Sequence, residues 1–365
     1  MRYIDEFRDK SIISGLSKKI NTLLDRLKKD VFFMEVCGTH TMSIYRNGIN
    51  KILDSNLKLL SGPGCPVCVT TDDYIDTAIE YAKLKDVIIA TFGDMVRVPG
   101  SVSTLEGQNA CGSKVEVVYS PQDALVIAQK NADKKIIFLA VGFETTAPTV
   151  AATIREAKAR AVGNFFVFCA HKLVPPAMKT LLDNDNSAID GFICPGHVSA
   201  IIGSTPYNFI AKDYRIPCVI AGFEPLDILE AVYMLLGQLH NGEALVQIQY
   251  KRAVKEEGNR KAQDLMYDVF KTTDAPWRGL GSIKDSGLKL KDKYCGYDAE
   301  KVFGKVSLPK KKETDNCLCA NVLKGISVPG DCKLFAGICT PANPKGPCMV
   351  SSEGTCAAYY KYNRL

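Results

Sequence analysis

Two groups of cysteines in this chain have the spacing and surroundings to do chemistry. In the first group, Cys37 is followed three residues later by His40, within the run Cys-Gly-Thr-His-Thr. A thiolate beside an imidazole can act as a nucleophile or bind a soft metal ion. The alternative is a buried structural cysteine with His40 at the start of a helix, but the density of small and reactive residues here favours chemistry.

The same group includes Cys65 and Cys68, a C-x-x-C pair that follows a Gly-Pro-Gly run. This spacing permits a small disulfide ring or two ligands to one metal ion, and a zinc ion would require two further ligands. We interpret the pair as a reversible dithiol.

The second group contains half of the 14 cysteines and lies between Cys295 and the C-terminus, among many Gly and Pro residues. Such a segment builds little apolar core, so we expect a bound metal or cluster to fold it. The lack of paired C-x-x-C knuckles fits a zinc ribbon poorly and favours an iron–sulfur cluster. Spacing alone does not choose between Cys317 and Cys319 as ligands, and it does not exclude Cys348.

Short apolar runs, typical of the buried strands of a parallel sheet, recur at 31–36, 87–92, 115–119, 136–141, 165–169, 191–194 and 218–221. Helical patterns, most of which open at a proline, cover 9–30, 72–84, 121–131, 147–160, 175–184, 225–238 and 259–271. This alternation predicts a doubly wound α/β architecture.

The alternation is long for a single sheet, so the predicted fold has two similar doubly wound parallel-sheet domains. A weak internal repeat supports two similar domains, since Gly-Phe-Glu follows an apolar run at both 142–144 and 222–224. Chance similarity is the alternative. The predicted organisation is a helical segment at 1–30, α/β domains at 31–132 and 133–240, and a helical and small cysteine-rich iron–sulfur region at 241–365.

The loops with reactive residues all follow predicted strands, where open α/β sheets bind their ligands. They therefore predict one shared site. Besides the cysteines and His40, its predicted lining is Thr39, Asp94, Glu144, Thr145, Thr146 and His197. For His197, a structural role at the start of a helix stays open.

The composition is that of an ordinary globular protein, with 46% hydrophobic and 24% charged residues and a mild net charge of +6. No basic stripe with interleaved aromatic residues is present, so nucleic-acid binding is not expected. The N-terminus has no apolar signal region, and no apolar run reaches the roughly 18–20 residues that span a membrane. We expect no membrane association and a cytoplasmic location, where cysteines serve as ligands or redox groups more often than as stable disulfides.

Four motifs together resemble the HypD family of hydrogenase maturation factors, over nearly the whole chain. They are the runs CGTHT from Cys37, GPGCPVC from Gly62, GFETTAP from Gly142 and GPCMVSSEG from Gly346. The last of these adds Glu353 to the expected lining of the site. Each motif is weak alone, but the combination is highly specific.

The resemblance implies a [4Fe–4S] cluster, because the family's C-x14-C-x6-C-x16-C spacing selects Cys317, Cys332, Cys339 and Cys356. It leaves Cys319 and Cys348 as bystanders. It also implies a scaffold for the Fe(CN)2CO unit of [NiFe]-hydrogenase, with iron bound through Cys37 together with a small HypC-type chaperone. A HypE-type partner would deliver the cyanide.

Two other functions remain open at this point. The first is an iron–sulfur thiol–disulfide oxidoreductase resembling ferredoxin–thioredoxin reductase, in which Cys65 and Cys68 reduce a protein disulfide. The second is a nucleotide-binding enzyme, which ranks last because the sequence has no G-x-x-x-x-G-K-[ST] and no convincing G-x-G-x-x-G after a strand.

Overall fold

A computed structural model describes residues 5–183, 188–309 and 317–363. The strands are β1 (Val31–Glu35), β2 (Leu57–Ser61), β3 (Val87–Thr91), β4 (Lys114–Val117), β5 (Lys135–Ala140), β6 (Phe165–Cys169), β7 (Gly191–Pro195), β8 (Cys218–Ala221), β9 (Val246–Ile248), β10 (Phe270–Trp277) and β11 (Gly281–Leu290).

The α-helices are α1 (Lys10–Leu27), α2 (Gly38–Arg46), α3 (Ile49–Ile52), α4 (Pro66–Val69), α5 (Asp72–Ala82), α6 (Gly93–Val96), α7 (Leu105–Ala110), α8 (Pro121–Lys130), α9 (Ala147–Ala159), α10 (Val174–Leu182), α11 (Gly196–Ile202), α12 (Asn208–Asp213), α13 (Pro225–Asn241), α14 (Arg260–Val269), α15 (Ala299–Phe303), α16 (Cys319–Leu323), α17 (Pro347–Val350) and α18 (Thr355–Tyr362). Short 3-10 helices cover Asp5–Arg8, Thr205–Tyr207, Asp292–Tyr297 and Pro329–Asp331.

The strands form two parallel sheets and one antiparallel hairpin. The five-stranded sheet has the order β2-β1-β7-β8-β9, and the four-stranded sheet has the order β4-β3-β5-β6. The hairpin joins β10 to β11, with an irregularity between Thr273 and Ala275. With the cysteine-rich region at the C-terminal end, this confirms the predicted α/β fold class.

The strands of each sheet are not contiguous in the sequence. The chain builds β1 and β2, leaves to build all of the four-stranded sheet, and returns to place β7 beside β1. The strands are therefore not divided between the sheets at residues 132 and 133, where the sequence predicts a boundary. The division into domains itself stays a prediction.

The strand orders create a crevice in each sheet. In the five-stranded sheet, β2 and β7 lie on opposite sides of β1, and in the four-stranded sheet β4 and β5 lie on opposite sides of β3. Connections that leave neighbouring strands in opposite directions open a crevice at the strands' carboxyl ends, where open α/β sheets bind ligands. The motif loops that follow β1, β3, β5 and β7 stand at these two points.

One continuous apolar cluster joins the sheets, and it includes Met34 of the first sheet, Ile137 of the second and Trp277 of the hairpin. Separate clusters cover the remaining faces, with α1 and α13 packed on the five-stranded sheet. The joint cluster fixes the two crevices relative to each other.

The sequence patterns do not predict β2, β9 or the hairpin. Their residues are largely half-exposed or exposed and mix apolar with polar side chains, so no buried run marks them.

Among the helices of the described residues, none combines the length and the apolar character needed to cross a bilayer.

Two glycine substitutions should have opposite effects on stability. Gly15 is exposed within α1 and an added Cβ meets no neighbouring atom, so Gly15→Ala should raise the free energy of unfolding by roughly 0.5–1 kcal/mol. At Gly64 a Cβ would overlap the backbone of Val36 and Cys37, so Gly64→Ala should lower it by about 1–3 kcal/mol. Urea unfolding measures both, and unchanged stability of Gly64→Ala would contradict this close packing.

Candidate metal and redox site

A cavity of about 740 Å³ lies where the two crevices face each other. Its polar lining contains most of the predicted residues: Cys37, Thr39, Asp94, Thr145, Thr146, His197 and Glu353. Its apolar lining includes Val36, Phe92 and Phe143. The loops of both sheets therefore line one cavity, and its role as a functional site stays a prediction.

Cys37 is held by the strand that precedes it. Its backbone N–H donates to Oε2 of Glu35 over 2.9 Å, and the hydroxyl of Thr41 donates to Oε1 of the same buried carboxyl. Burial raises the pKa of Glu35 to about 8. The N–H of Gly38 donates to the carbonyl of Gly64 over 3.0 Å, which ties the Cys37 loop to the C-x-x-C loop.

The Cys37 thiol is protonated at neutral pH. Burial, and next the carboxylate of Glu353, raise the pKa of Cys37 to about 12. A metal ion replaces the proton of a thiol ligand, so metal binding here would release one proton. Cys37 is thus suited to hold a cation and poorly suited to act as a free nucleophile.

His40 does not line the cavity, which corrects the expectation that it faces the site. It is buried, and its Nε2 lies 2.9 Å from the carbonyl of Gly222, to which it must donate. Burial lowers the pKa of His40 to about 4, so the ring is neutral. The Phe223 ring lies between two imidazoles, with centroids 4.8 Å from His40 and 4.0 Å from His197.

Glu144 also faces away from this cavity, which corrects its predicted place in the lining. The chain turns here, because the N–H of Thr146 donates to the carbonyl of Phe143 over 3.2 Å, and Phe143, Thr145 and Thr146 take the side of the cavity while Glu144 does not. The Glu144 carboxyl is buried and accepts the N–H of Val174 over 3.0 Å.

The C-terminal segment is pinned onto the N-terminal loops at this cavity. The hydroxyl of Thr39 donates to Oε1 of Glu353, and the hydroxyl of Ser351 donates to Oδ2 of Asp94, each over 2.8 Å. Gly38 packs directly against Glu353, where a Cβ would overlap it. These contacts bring the cysteine-rich tail to the site.

Cys65 and Cys68 are both buried and differ in acidity. Burial raises the pKa of Cys65, and its neighbour Cys68 raises it further. Burial also opposes ionisation of Cys68, but hydrogen bonds to Cys348 and Cys65, together with the charge of Arg278, outweigh it and lower the pKa of Cys68 to about 6. An asymmetric pair of this kind, with one thiolate at neutral pH, suits thiol–disulfide exchange.

Cys319 and Cys348 are functional candidates that the sequence analysis leaves as bystanders. Their sulfur atoms lie 2.8 Å apart, near the reach of a disulfide bond of about 2.05 Å. Cys348 also hydrogen-bonds to Cys68 on one side and Cys356 on the other. The thiols thus form a continuous series from Cys65 into the tail, and nothing in the spacing of these distant residues signals it.

The four predicted cluster ligands are neighbours in the tail. Burial raises the pKa of Cys317 to about 12, with smaller contributions from the nearby thiols of Cys319, Cys332 and Cys356. Burial also raises the pKa of Cys339, whose Sγ accepts the N–H of Lys345 over 3.3 Å.

As they stand, no three or more His, Cys, Asp or Glu side chains in the described ranges are arranged to hold a metal ion. The donor chemistry nevertheless fits an iron–sulfur cluster, which takes four cysteine thiolates and hydrogen bonds to its sulfurs. Three of the four candidate thiols are partly exposed, so iron could reach them.

Arg278 is a second residue that the sequence analysis does not single out. It lies between β10 and β11, and its Nη1 is 2.7 Å from Oδ1 of Asp72 while its Nε donates to the carbonyl of Thr70 over 2.9 Å. Its buried Nη2 has no hydrogen-bond partner among the described residues. No motif marks this arginine, because only the fold of the hairpin brings it to Cys68.

The structure therefore defines an α/β protein with a thiol at a shared strand-end cavity, two further buried thiols close by and a cysteine-rich tail. A family model described as "HypD: Hydrogenase formation hypA family" matches residues 11–363. The chain belongs to this family, which confirms the resemblance seen in its motifs.

Several curated relatives match over their full length. "Hydrogenase maturation factor HypD" of Rhizobium leguminosarum bv. viciae is 44% identical over 373 residues, covering 100% of this chain and 96% of the relative. The proteins of that name from Cupriavidus necator and Escherichia coli are 44% and 43% identical, covering 100% of this chain and 98% and 99% of the relatives.

Removing the Arg278 charge should make Cys68 less acidic. Because that cation favours the thiolate, Arg278→Gln should move the pH at which Cys68 becomes reactive upward from about 6. The rate of iodoacetamide modification of Cys68, followed by peptide mass spectrometry from pH 5 to 9, measures the shift. Arg26→Gln, an exposed position in α1, is the control, and an unshifted profile in Arg278→Gln would contradict the electrostatic role.

Proposed function

We propose that this hydrogenase maturation factor is the scaffold on which the Fe(CN)2CO unit of [NiFe]-hydrogenase is assembled. Membership of the HypD family supports a role in hydrogenase maturation. The observation that carries the finer proposal is the position of Cys37, a protonated thiol at a cavity lined by both sheets.

In this proposal, iron is the cargo and Cys37 is its anchor on this chain. Thiolate is a soft ligand that suits low-spin iron(II) with cyanide and carbon monoxide. The Glu353 carboxylate opposes ionisation of Cys37, and an arriving iron cation reverses that penalty as the thiol loses its proton. Binding of iron and loss of the Cys37 proton are therefore coupled.

The cavity has room for partners as well as for the cargo. About 740 Å³ is far more than two cyanides and one carbon monoxide fill, and its rim combines apolar side chains with exposed His197. We infer that a HypC-type chaperone supplies a further iron ligand here and that a HypE-type protein delivers cyanide through the same opening. We place this assembly in the cytoplasm, away from membranes and nucleic acid.

The buried thiols supply reducing equivalents in this proposal. When Cys65 and Cys68 form a disulfide, Cys348 is placed to attack Cys68, which forms a Cys348–Cys68 bond and breaks the Cys65–Cys68 bond. The proton that Cys348 loses is balanced by the proton that Cys65 takes up, because the raised pKa of Cys65 makes it leave as the thiol. Cys319 then attacks Cys348, which frees Cys68. The two electrons pass to the first pair, and Cys319 and Cys348 are left oxidised.

A [4Fe–4S] cluster on Cys317, Cys332, Cys339 and Cys356 would supply electrons singly at low potential when bound. Cys348 joins this set to the dithiol through its hydrogen bond to Cys356.

The second candidate function is an iron–sulfur thiol–disulfide oxidoreductase whose substrate is a partner's disulfide. The series of thiols favours it, because the same exchange steps would serve either role. It requires no iron beyond the cluster, so detection of diatomic ligands on iron separates the two functions.

The cluster ligands and the bystanders should separate by substitution. Cys332→Ala should lose bound iron and the broad visible absorption of the cluster, because it removes one of four thiolates. Cys319→Ala should keep both. After photoreduction with a deazaflavin, the wild type should reduce its Cys65–Cys68 disulfide while Cys319→Ala leaves it oxidised, as thiol-labelling mass spectrometry can show.

A fully loaded cluster in Cys332→Ala would sink the ligand assignment. Reduction of the disulfide at the wild-type rate in Cys319→Ala would remove that residue from the exchange. Cys111 is exposed and has no role in this proposal, so Cys111→Ser is the control for the loss of a cysteine elsewhere in the chain.

Cys37→Ser should keep the fold and the cluster, because it exchanges one sulfur for oxygen at a loop. It should nonetheless lose the cyanide and carbonyl stretching bands in infrared spectra of protein purified without oxygen together with its small chaperone. Cys111→Ser should keep these bands. A Cys37→Ser protein with full bands would overturn the scaffold as placed here.

A further inference from the structure

A second cavity, of about 140 Å³, lies on the other side of the loop that follows β5. Glu144 lines this cavity, whereas its neighbours Phe143 and Thr145 line the Cys37 cavity. Three prolines, Leu173 and Ile202 form the apolar walls. Nothing in the proposed function uses this cavity.

The Glu144 carboxyl is only half satisfied. The side chain is 1% exposed, and its Oε1 accepts the N–H of Val174 over 3.0 Å. Its Oε2 is buried without a hydrogen-bond partner in the part of the chain that the structure describes. A buried carboxylate oxygen without a partner costs free energy, and a ligand that donates to it recovers that cost.

The other polar residues of the cavity do not supply a donor with positive charge. The amide nitrogen of Gln263 already donates to the carbonyls of Ile201 and Glu257, over 2.7 and 2.8 Å. What Gln263 can offer a ligand is its carbonyl oxygen, which is an acceptor. Tyr267 is 43% exposed and stands at the opening, and its pKa is raised by burial and next by the charge of Glu144.

No lysine or arginine is among the described residues that line the cavity. In addition, no cation offsets the effect of burial, which raises the pKa of Glu144 to about 7. An occupant that brings both N–H donors and positive charge would supply the two things that these residues lack.

We propose that this cavity binds a primary ammonium or guanidinium group carried on a short alkyl chain. The charged end would donate to Oε2 of Glu144, and the alkyl part would pack against the prolines, Leu173 and Ile202. A cavity of roughly 150 Å³ holds benzene, so this one accepts about five or six non-hydrogen atoms. The group can be a free amine or the basic side chain of a partner, since both present the same chemistry.

The test uses the full chain with specific methyl labels on Ile202 and Leu173. Titration with n-butylammonium should shift both methyl resonances, because both residues line the cavity. Tetramethylammonium carries the same charge without N–H donors, so it should not shift them. A capped lysine, N-acetyl-lysine methylamide, distinguishes the sources: a shift assigns the site to a basic side chain, and its absence assigns it to a free amine.

Glu144→Gln keeps an oxygen for the N–H of Val174 and removes the charge, so it should weaken n-butylammonium binding by at least about tenfold. Glu116→Gln, at an exposed carboxyl of β4, should bind as the wild type does. The proposal is overturned if the wild type shows no shift, if tetramethylammonium shifts the same methyls equally, or if Glu144→Gln binds with wild-type affinity. The first two outcomes depend only on the wild type and stand even if Glu144→Gln fails to fold.

Discussion

The site depends on one contact between distant parts of the chain, the docking of the segment around Glu353 onto the Cys37 loop. Gly38 lets the two backbones approach closely, and the hydrogen bonds from Thr39 to Glu353 and from Ser351 to Asp94 hold them there. The tail also packs through apolar residues, since Leu323 and Cys348 belong to the same apolar cluster as the two sheets. With this docking, the tail cysteines and the strand-end cysteines become parts of one structure.

The interleaved topology explains why a single cavity serves both sheets. The chain leaves the first sheet after β2 and returns at β7, so the crevice beside β1 is completed only after the second sheet has been built. The apolar cluster shared by the sheets then aligns the two crevices. This arrangement gives a cavity whose walls come from seven separate segments of the chain.

The sequence predicts those features of the molecule that depend on local patterns. Fully buried strands form apolar runs, and helices that open at proline are visible, so the α/β class and most element positions follow. The cavity residues follow as well, because parallel strands place their carboxyl ends on one edge. The half-exposed hairpin β10–β11 has no such pattern, and Arg278, which it carries to Cys68, is missed with it.

Side-chain direction is the second limit on prediction. His40 lies in the first turn of α2 and Glu144 in the turn before α9, and both face away from the cavity, because each side chain's direction depends on the local backbone conformation. The pairing of Cys319 with Cys348 depends on how α16 and α17 pack, which the separation of the two residues along the chain does not encode.

Cys37 and Cys68 differ in acidity, and this difference gives the two thiols different chemical properties. Both thiols are buried, which alone would raise the pKa of each. Near Cys37 the added charges are carboxylates, so the pKa of Cys37 rises further, to about 12, and the thiol stays protonated until a cation binds. Near Cys68, hydrogen bonds to Cys348 and Cys65 and the charge of Arg278 outweigh burial and the charge of Glu353, so the pKa of Cys68 falls to about 6 and a thiolate is present at neutral pH. The proposed iron binding at Cys37 and the proposed thiol exchange at Cys68 therefore place different demands on the two sulfurs, and each sulfur is held in a different protonation state.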